Sequence, residues 1–121
     1  MHSNSLIKNK EPSYLPVKEA GLWLKENSDK DDLILSVSYT QTTYYSERDV
    51  DSFSIHLSGE EFNDYIKEKH PKYLQYSLFE MHPNWFNSWL QANIERLNPV
   101  YISYNDAKKT SANLVIYEIL Y

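Results

Sequence analysis

Apolar and polar positions repeat along this chain with two different periods, and each change of period marks a change of secondary structure. Val17, Ala20 and Leu24 recur at the three- and four-residue spacing of one helix face. Pro16 suits the first helical position, because its missing N–H is not needed there. We predict an amphipathic helix that lies on a sheet and ends in the turn-forming stretch 27–31.

A continuous apolar run follows this first helix. Residues 33–37 read Leu-Ile-Leu-Ser-Val, without the strict alternation of a strand that has one wet face. Such runs are typical of strands covered on both faces, which are usually parallel strands with helices on either side. The run therefore indicates the α/β class.

The rest of the chain repeats this alternation of helices and strands. Further strands are predicted over 50–55, 73–79, 100–104 and 114–120. One further helix starts at the N-cap Ser58 and is stopped by Pro71, and another spans 85–97 and is ended by Asn98 and Pro99. The order predicts a three-layer, Rossmann-like α/β domain. Its sheet would be mostly parallel, with about five strands and an antiparallel edge hairpin.

The segment from Val17 to Val50 carries a resemblance to a known family. Its helix ends in Trp-Leu-Lys-Glu-Asn, its strand is of the Asp-Asp-Leu-Ile-Leu-Ser type, and Tyr-Tyr-Ser-Glu-Arg precedes a second strand. This order resembles the soluble extracytoplasmic C-terminal domain of archaeal and bacterial membrane glycosyltransferases of the GT-C superfamily. The relevant members are similar to dolichyl-phosphate-mannose protein mannosyltransferases and aminoarabinose transferases. One position departs from the family's pattern, since Glu47 stands where glycine is expected.

The resemblance implies a function for the chain as part of a larger protein. Residues 1–15 would be a linker or an added leader, and residues 16–121 a single soluble domain that follows the last membrane helix. The parent, a hexosyltransferase, would transfer a sugar from a polyprenyl-phosphate carrier to a protein or lipid acceptor outside the cytoplasm. The family's catalytic acidic residues lie in the membrane domain, so none is carried over to this chain. The implied partners are that membrane domain and an acceptor protein or glycolipid.

A stand-alone α/β domain that binds a small ligand or another protein is the alternative. At 121 residues the chain has the size of one domain with its own core. No stretch approaches the roughly 20 apolar residues that cross a bilayer, which suits a free protein and an excised domain equally. A small hydrolase or transferase would need a clustered acid, base or nucleophile, which the sequence does not display, so we expect no enzymatic activity from the chain alone.

Composition removes several other classes of function. A net charge of -5 opposes nucleic-acid binding, and the one locally basic stretch, 67–72, reads as a solvated helix end. The absence of cysteine excludes disulfides and thiolate zinc sites. With only Gly21 and Gly59 present, neither a dinucleotide fingerprint nor a Walker loop can exist, and we predict no cofactor.

Histidines and carboxylates do not form a recognisable metal site. Glu80 and His82 would share a face of an extended segment, and His56 or His70 would have to join them to complete a site. Nothing in the sequence brings these side chains together. We therefore predict no metal.

Candidate contacts to a ligand follow the first strand, because ligands of open α/β sheets bind beyond the carboxyl ends of strands. Tyr39 and Thr40 belong to a hydroxyl-rich helix start that suits a phosphate or a sugar hydroxyl. The plainer interpretation is that Ser38 or Thr40 simply caps the helix.

A second group of candidate contacts closes the same helix. Tyr44, Tyr45 and Arg48 combine aromatic faces with a guanidinium, which suits a sugar or a phosphate headgroup. The plainer interpretation is that one tyrosine packs on the sheet while Arg48 pairs with Asp49 or Asp51.

Overall fold

The computed structural model describes residues 14–53, 58–78, 82–104 and 112–121 and contains one sheet. The helices are α1 (Tyr14–Asn27), α2 (Tyr39–Ser46), α3 (Gly59–Lys69) and α4 (Phe86–Ala92), with a short 3-10 turn over Ile94–Arg96. The strands are β1 (Leu33–Ser36), β2 (Asp49–Asp51), β3 (Tyr73–Ser77), β4 (Leu97–Tyr104) and β5 (Ala112–Ile119).

The sheet is mixed and has the order β2-β1-β3-β5-β4. β1 pairs in parallel with both β2 and β3. β5 runs antiparallel to β3 and to β4, so that β4 and β5 form a hairpin at one edge. The predicted α/β class, the parallel strands and the antiparallel edge hairpin are confirmed.

Two apolar cores cover the two faces of the sheet. α1 packs Val17, Ala20 and Leu24 on one face, which β1 meets with Ile34. The next residue of β1, Leu35, points to the other face, because successive side chains of a strand alternate. That second core is filled from α3 and α4 by Phe62, Ile66, Phe86, Trp89 and Leu90. The domain therefore has three layers, and the prediction of a strand buried on both faces is confirmed.

The predicted helix over 85–97 is too long. α4 ends at Ala92, and Leu97 is the first residue of β4 rather than the last of a helix. Pro99 lies inside β4, which pairs only with β5 among the described strands. An edge strand tolerates proline because no partner needs its N–H. Proline thus marked a strand edge here and not a helix end.

Other boundaries differ from the predictions by a few residues. The helix α1 begins at Tyr14, so Pro16 lies within its first turn and not at its first position, and β4 and β5 begin before the predicted positions 100 and 114. Ser58 is the N-cap of α3 and accepts a hydrogen bond from Glu61 N at 3.1 Å. The strand predicted over 50–55 is seen as β2, which ends at Asp51; Ser52 and Phe53 are not in the strand, and 54–55 lie outside the described residues. The strand predicted over 73–79 is seen as β3, which ends at Ser77 before the turn residue Leu78, and 79 lies outside the described residues.

Candidate functional site

The residues predicted beyond the first strand do lie at the carboxyl end of β1. Tyr39 begins α2 and is 50% exposed, and Thr40 beside it is exposed as well. Ser38 occupies the N-cap position, but its side chain makes no capping hydrogen bond. Thr40 lies inside α2 and is not its N-cap, so neither Ser38 nor Thr40 provides the side-chain cap of the plainer interpretation.

A buried polar cluster holds the start of α2 against the sheet. Ser36 Oγ lies 3.1 Å from Thr42 Oγ1 and accepts a hydrogen bond from Ser38 N at 3.0 Å. Gln75 Nε2 donates to Ser36 Oγ at 3.3 Å and to Thr42 Oγ1 at 3.1 Å. Gln75 is 1% exposed, and its Oε1 has no partner among the described residues. The only sequence signal for this cluster was a polar residue in the middle of an apolar strand.

Glu47, the departure from the family's pattern, adopts the backbone conformation that favours glycine. It is the C-cap of α2 with φ 57 and ψ 38, in the left-handed region. Its N–H donates to Thr43 O, as in common helix terminations. Its side chain is paired with Lys25 at 2.7 Å. The turn thus keeps the geometry expected of glycine although the residue differs.

Substitution of Glu47 by glycine should therefore be neutral or slightly stabilising, with the thermal midpoint unchanged or raised by a few degrees. Glycine removes the cost of the left-handed conformation, while the exposed ion pair that is lost contributes little. Thermal unfolding of the variants Glu47→Gly and Lys25→Ala separates these two effects. Glu47→Gly loses both the ion pair and the cost of the left-handed conformation, whereas Lys25→Ala loses only the ion pair. A Glu47→Gly variant less stable than Lys25→Ala would contradict this account.

The same ion pair makes the stability of this turn depend on pH. The hydrogen bond from Lys25 and its positive charge lower the pKa of Glu47 from its ordinary value. A lowered pKa means that the pair stabilises the fold above the ordinary carboxyl pKa, and that this contribution disappears as the pH falls through the folded value.

Arg48 ties the end of α1 to the end of α2. Its Nε donates to Ser28 Oγ at 2.9 Å, and Nη2 donates to Lys25 O and Ser28 O, both at 2.9 Å. Nη1 donates to Ser46 O at 3.4 Å and Glu47 O at 3.2 Å. A guanidinium has five N–H donors, so a bond to a ligand would have to replace one of these. Arg48 binds carbonyls at the helix ends and makes no described ion pair with Asp49 or Asp51.

An exposed surface, here called the α1–α2 surface, consists of Leu15, Lys18, Leu22, Tyr44 and Tyr45. Leu15 and Leu22 are exposed, and Tyr44 is 74% exposed. The ring of Tyr44 meets that of Tyr45 edge-on with 4.9 Å between centroids, and Lys18 Nζ lies 5.9 Å from the Tyr45 centroid. The rings of the two predicted tyrosines are therefore in contact with each other, whereas the guanidinium of Arg48 is hydrogen-bonded at the ends of α1 and α2.

Partly buried tyrosines make the fold sensitive to high pH. Burial raises the pKa of Tyr121 to about 12, and burial with the hydrogen bond to Asp51 raises the pKa of Tyr65. Unfolded tyrosine ionises near pH 10, so these groups stabilise the fold fully below that pH and progressively less as the pH rises to the folded values. Chemical unfolding should show that the free energy of unfolding falls between about pH 10 and pH 12. The fall should be less steep in Tyr121→Phe. The same pH dependence in this variant would contradict a contribution from Tyr121.

A cavity lined by described residues lies at the opposite end of the sheet. It is a groove of about 640 Å³ between α3, the turn after α4 and the end of β5. Lys67 and His70 reach it from the stretch read as a solvated helix end, and Arg96 joins them from the 3-10 turn. Sequence reasoning missed this groove because Arg96 is distant in sequence from the basic stretch.

The histidines give no metal centre within the part of the chain that is described. His70 stacks on Tyr121, and His82 packs against Tyr76 and Phe86. No group of three or more potential ligands is found among the described residues, whereas His56 and Glu80 lie outside them. The absence of a metal stays a prediction.

In the described ranges, no helix combines the length and apolar character needed to cross a bilayer.

Comparisons with known proteins give a weak structural likeness. No protein-family model matches the chain, and no curated protein matches it. The structure is similar to the crystal structure of the C-terminal globular domain of an oligosaccharyltransferase from Archaeoglobus fulgidus. The TM-score is 0.49 with 15% sequence identity, over 84% of this chain and 95% of that chain. A likeness at this level is too weak to assign a fold or a function.

Proposed function

We propose that this chain is an accessory, non-catalytic domain of a membrane glycosyltransferase. The parent protein transfers a sugar from a polyprenyl-phosphate carrier to a protein or lipid acceptor. The proposal rests on the resemblance over residues 17–50. The single observation that favours it most is the left-handed Glu47, with φ 57, at the position where the family's pattern has glycine.

The contacts of Arg48 give that motif a physical reason. A tight left-handed turn after α2 brings the next side chain back to the last carbonyls of α1. Those carbonyls have no partner within their own helix and carry its partial negative charge. The junction of α1 and α2 therefore requires glycine, or a residue tolerated in its place, followed by arginine. This requirement favours a shared local structure over a chance similarity of the two sequences.

The α1–α2 surface is the proposed contact with the membrane domain of the same polypeptide. Any segment that precedes the domain enters it through α1, whose first turn contains Leu15. Two exposed leucines and the exposed Tyr44, next to the half-buried Tyr45 and Lys18, suit a protein interface better than open solvent. The domain would then lie on the extracytoplasmic face of the membrane.

Tyr39 and Thr40 are the proposed contacts to an acceptor protein or glycolipid. Both are exposed at the carboxyl end of the parallel strands, and α2 is anchored beneath them by the buried cluster of Ser36, Thr42 and Gln75. An exposed ring on a rigidly held helix loses little entropy on binding. The domain would position the acceptor, while the chemistry takes place in the membrane domain.

The size and membrane association of the native polypeptide test the proposal. An antibody raised against this domain would be used on fractionated source cells, before and after a carbonate wash. A band several times larger than 14.4 kDa that stays in the membrane pellet is expected. A band near 14.4 kDa in the supernatant would overturn the proposal and favour a stand-alone ligand-binding or interaction domain.

The proposed interface has its own test in the full-length parent. Leu22→Ser with Tyr44→Ser should lower sugar transfer by membranes while leaving the unfolding midpoint of the isolated domain unchanged, because both side chains are exposed. Leu78→Ser is the matched control, since Leu78 is also an exposed apolar residue but lies outside both the α1–α2 surface and the groove. Equal loss of transfer in the control would remove the interface from the proposal.

A further inference from the structure

The groove between α3 and the end of β5 has an apolar floor. Ile66, Trp89, Leu97 and Ile119 line it, and all belong to the buried core on that face of the sheet. Its volume of about 640 Å³ lies within the range of small-molecule sites. The floor therefore suits an apolar or ring-shaped body of modest size.

The rim of the groove is basic. Lys67, His70 and Arg96 line it, and no acidic side chain of the described residues does so. Neither Lys67 nor Arg96 forms an ion pair within the described ranges. The C-terminal end of α3 adds a partial negative charge of about half a unit, which is smaller than the charge of Lys67 and Arg96 together. The electrostatic preference is for an anion.

The polar side chains of the groove keep one hydrogen-bond donor available. Asn63 Oδ1 accepts from Trp89 Nε1 at 2.7 Å, which fixes the amide so that its Nδ2 is the remaining donor. No described residue accepts a hydrogen bond from this Nδ2. An amide donor beside the lysine and the arginine is consistent with an anion that has several acceptor oxygens.

A ring pair separates this groove from a neighbouring pocket of different charge. His70 and Tyr121 stack with 4.2 Å between centroids, and both line the two cavities. The neighbouring pocket contains Asp31, Asp32 and Glu118 as well as basic residues. The two stacked rings therefore separate the carboxylates of the neighbouring pocket from the basic groove.

From this arrangement we propose that the groove binds a small organic phosphate whose apolar or aromatic body lies on the floor formed by Ile66 and Leu97. A phosphate monoester carries about −1.5 to −2 charges at neutral pH, which matches the two cations Lys67 and Arg96 better than the single charge of a carboxylate does. Lys67 and Arg96 hold the phosphate, and Asn63 donates to it. This inference is independent of the proposed function, since the groove shares no residue with the α1–α2 surface.

The test uses 2-naphthyl phosphate as the probe, with 2-naphthol and inorganic phosphate as its two halves. Binding is followed by two-dimensional nitrogen–proton NMR at low salt. The indole N–H of Trp89 is the diagnostic signal, because it lies in the groove while the other tryptophans do not line it. We expect this signal and the amides of Lys67 and Arg96 to shift with naphthyl phosphate, and each half alone to bind at least about tenfold more weakly.

Two charge-matched double variants decide whether the groove is responsible. Lys67→Gln with Arg96→Gln should weaken binding at least about tenfold, since each charge-assisted contact is lost. Lys30→Gln with Lys69→Gln removes the same net charge from exposed residues that do not line the groove and should leave affinity nearly unchanged. All four side chains are exposed, so both variants should fold.

Three results would overturn the proposal. If both double variants bound the probe equally weakly, the effect would come from the net charge of the protein and not from the groove. Equal affinity for 2-naphthol and its phosphate would leave an apolar pocket without anion recognition. Binding to vesicles rich in anionic lipid, with no response to soluble naphthyl phosphate, would identify the basic rim as a lipid-surface contact instead.

Discussion

Replacement of Arg48 by alanine is expected to be among the most destabilising single changes at the surface of this domain. Five N–H donors of one guanidinium bind carbonyl and hydroxyl oxygens at the ends of α1 and α2. We expect a loss of about 2–4 kcal/mol in the free energy of unfolding, because contacts of a charged group are stronger than neutral ones and several partners lose them together. For a domain of this size the thermal midpoint should fall by roughly 10 °C.

Two comparison variants separate geometry from charge at this position. Arg48→Lys keeps the charge but cannot bind five oxygens in one plane, so it should recover only a small part of the loss. Lys30→Ala removes a charge from an exposed turn residue and should change stability little. Full recovery by lysine in urea unfolding would contradict the role of the guanidinium geometry.

Gly21→Ala is expected to have the second-largest effect. A Cβ at Gly21 would lie 2.6 Å from the Cβ of Tyr45, and real Cβ contacts are not that short. The atom in the way is next to the α2 backbone, so α1 and α2 would have to move apart. Overpacking of this kind costs about 1–3 kcal/mol, which exceeds the helix-propensity gain of about 1 kcal/mol from alanine.

Gly59→Ala is the matched control for this prediction. A Cβ at Gly59 meets its nearest atom, in Trp85, at an ordinary 3.7 Å, so alanine should be neutral or slightly stabilising there. Thermal or urea unfolding of the two variants measures the difference directly. Equal stability of Gly21→Ala and Gly59→Ala would mean that the helices separate at no cost.

The elements of this fold were largely predictable because their causes are local. The helical spacing of Val17, Ala20 and Leu24, the unbroken run of β1 and the Ser58 cap each act within a few residues. The extent of α4 was not predictable in the same way. Pro99 can end a helix or occupy an edge strand, and only pairing with β5 decides between them.

The candidate sites were less predictable because they depend on residues brought together by the fold. The plainer interpretation of Arg48 expected a nearby carboxylate as its partner, whereas its partners include the carbonyls of Lys25, in the last turn of α1, and of Ser28, directly after that helix. The ligand roles of Tyr39, Thr40, Tyr44, Tyr45 and Arg48 remain predictions. The basic groove joins α3 to the turn before β4, and neither segment alone contains its charge pattern.

Both edges of the sheet are built in a way that discourages pairing with another molecule. β2 is only three residues long and begins and ends with aspartate. β4 contains Pro99 and has register shifts at Pro99/Tyr101 and Ser103/Tyr104. Short charged strands, proline and bulges are the features that prevent sheets from adding strands edge to edge. A domain with this construction can be kept at high local concentration beside other copies, as on a crowded membrane, without joining them into continuous sheets.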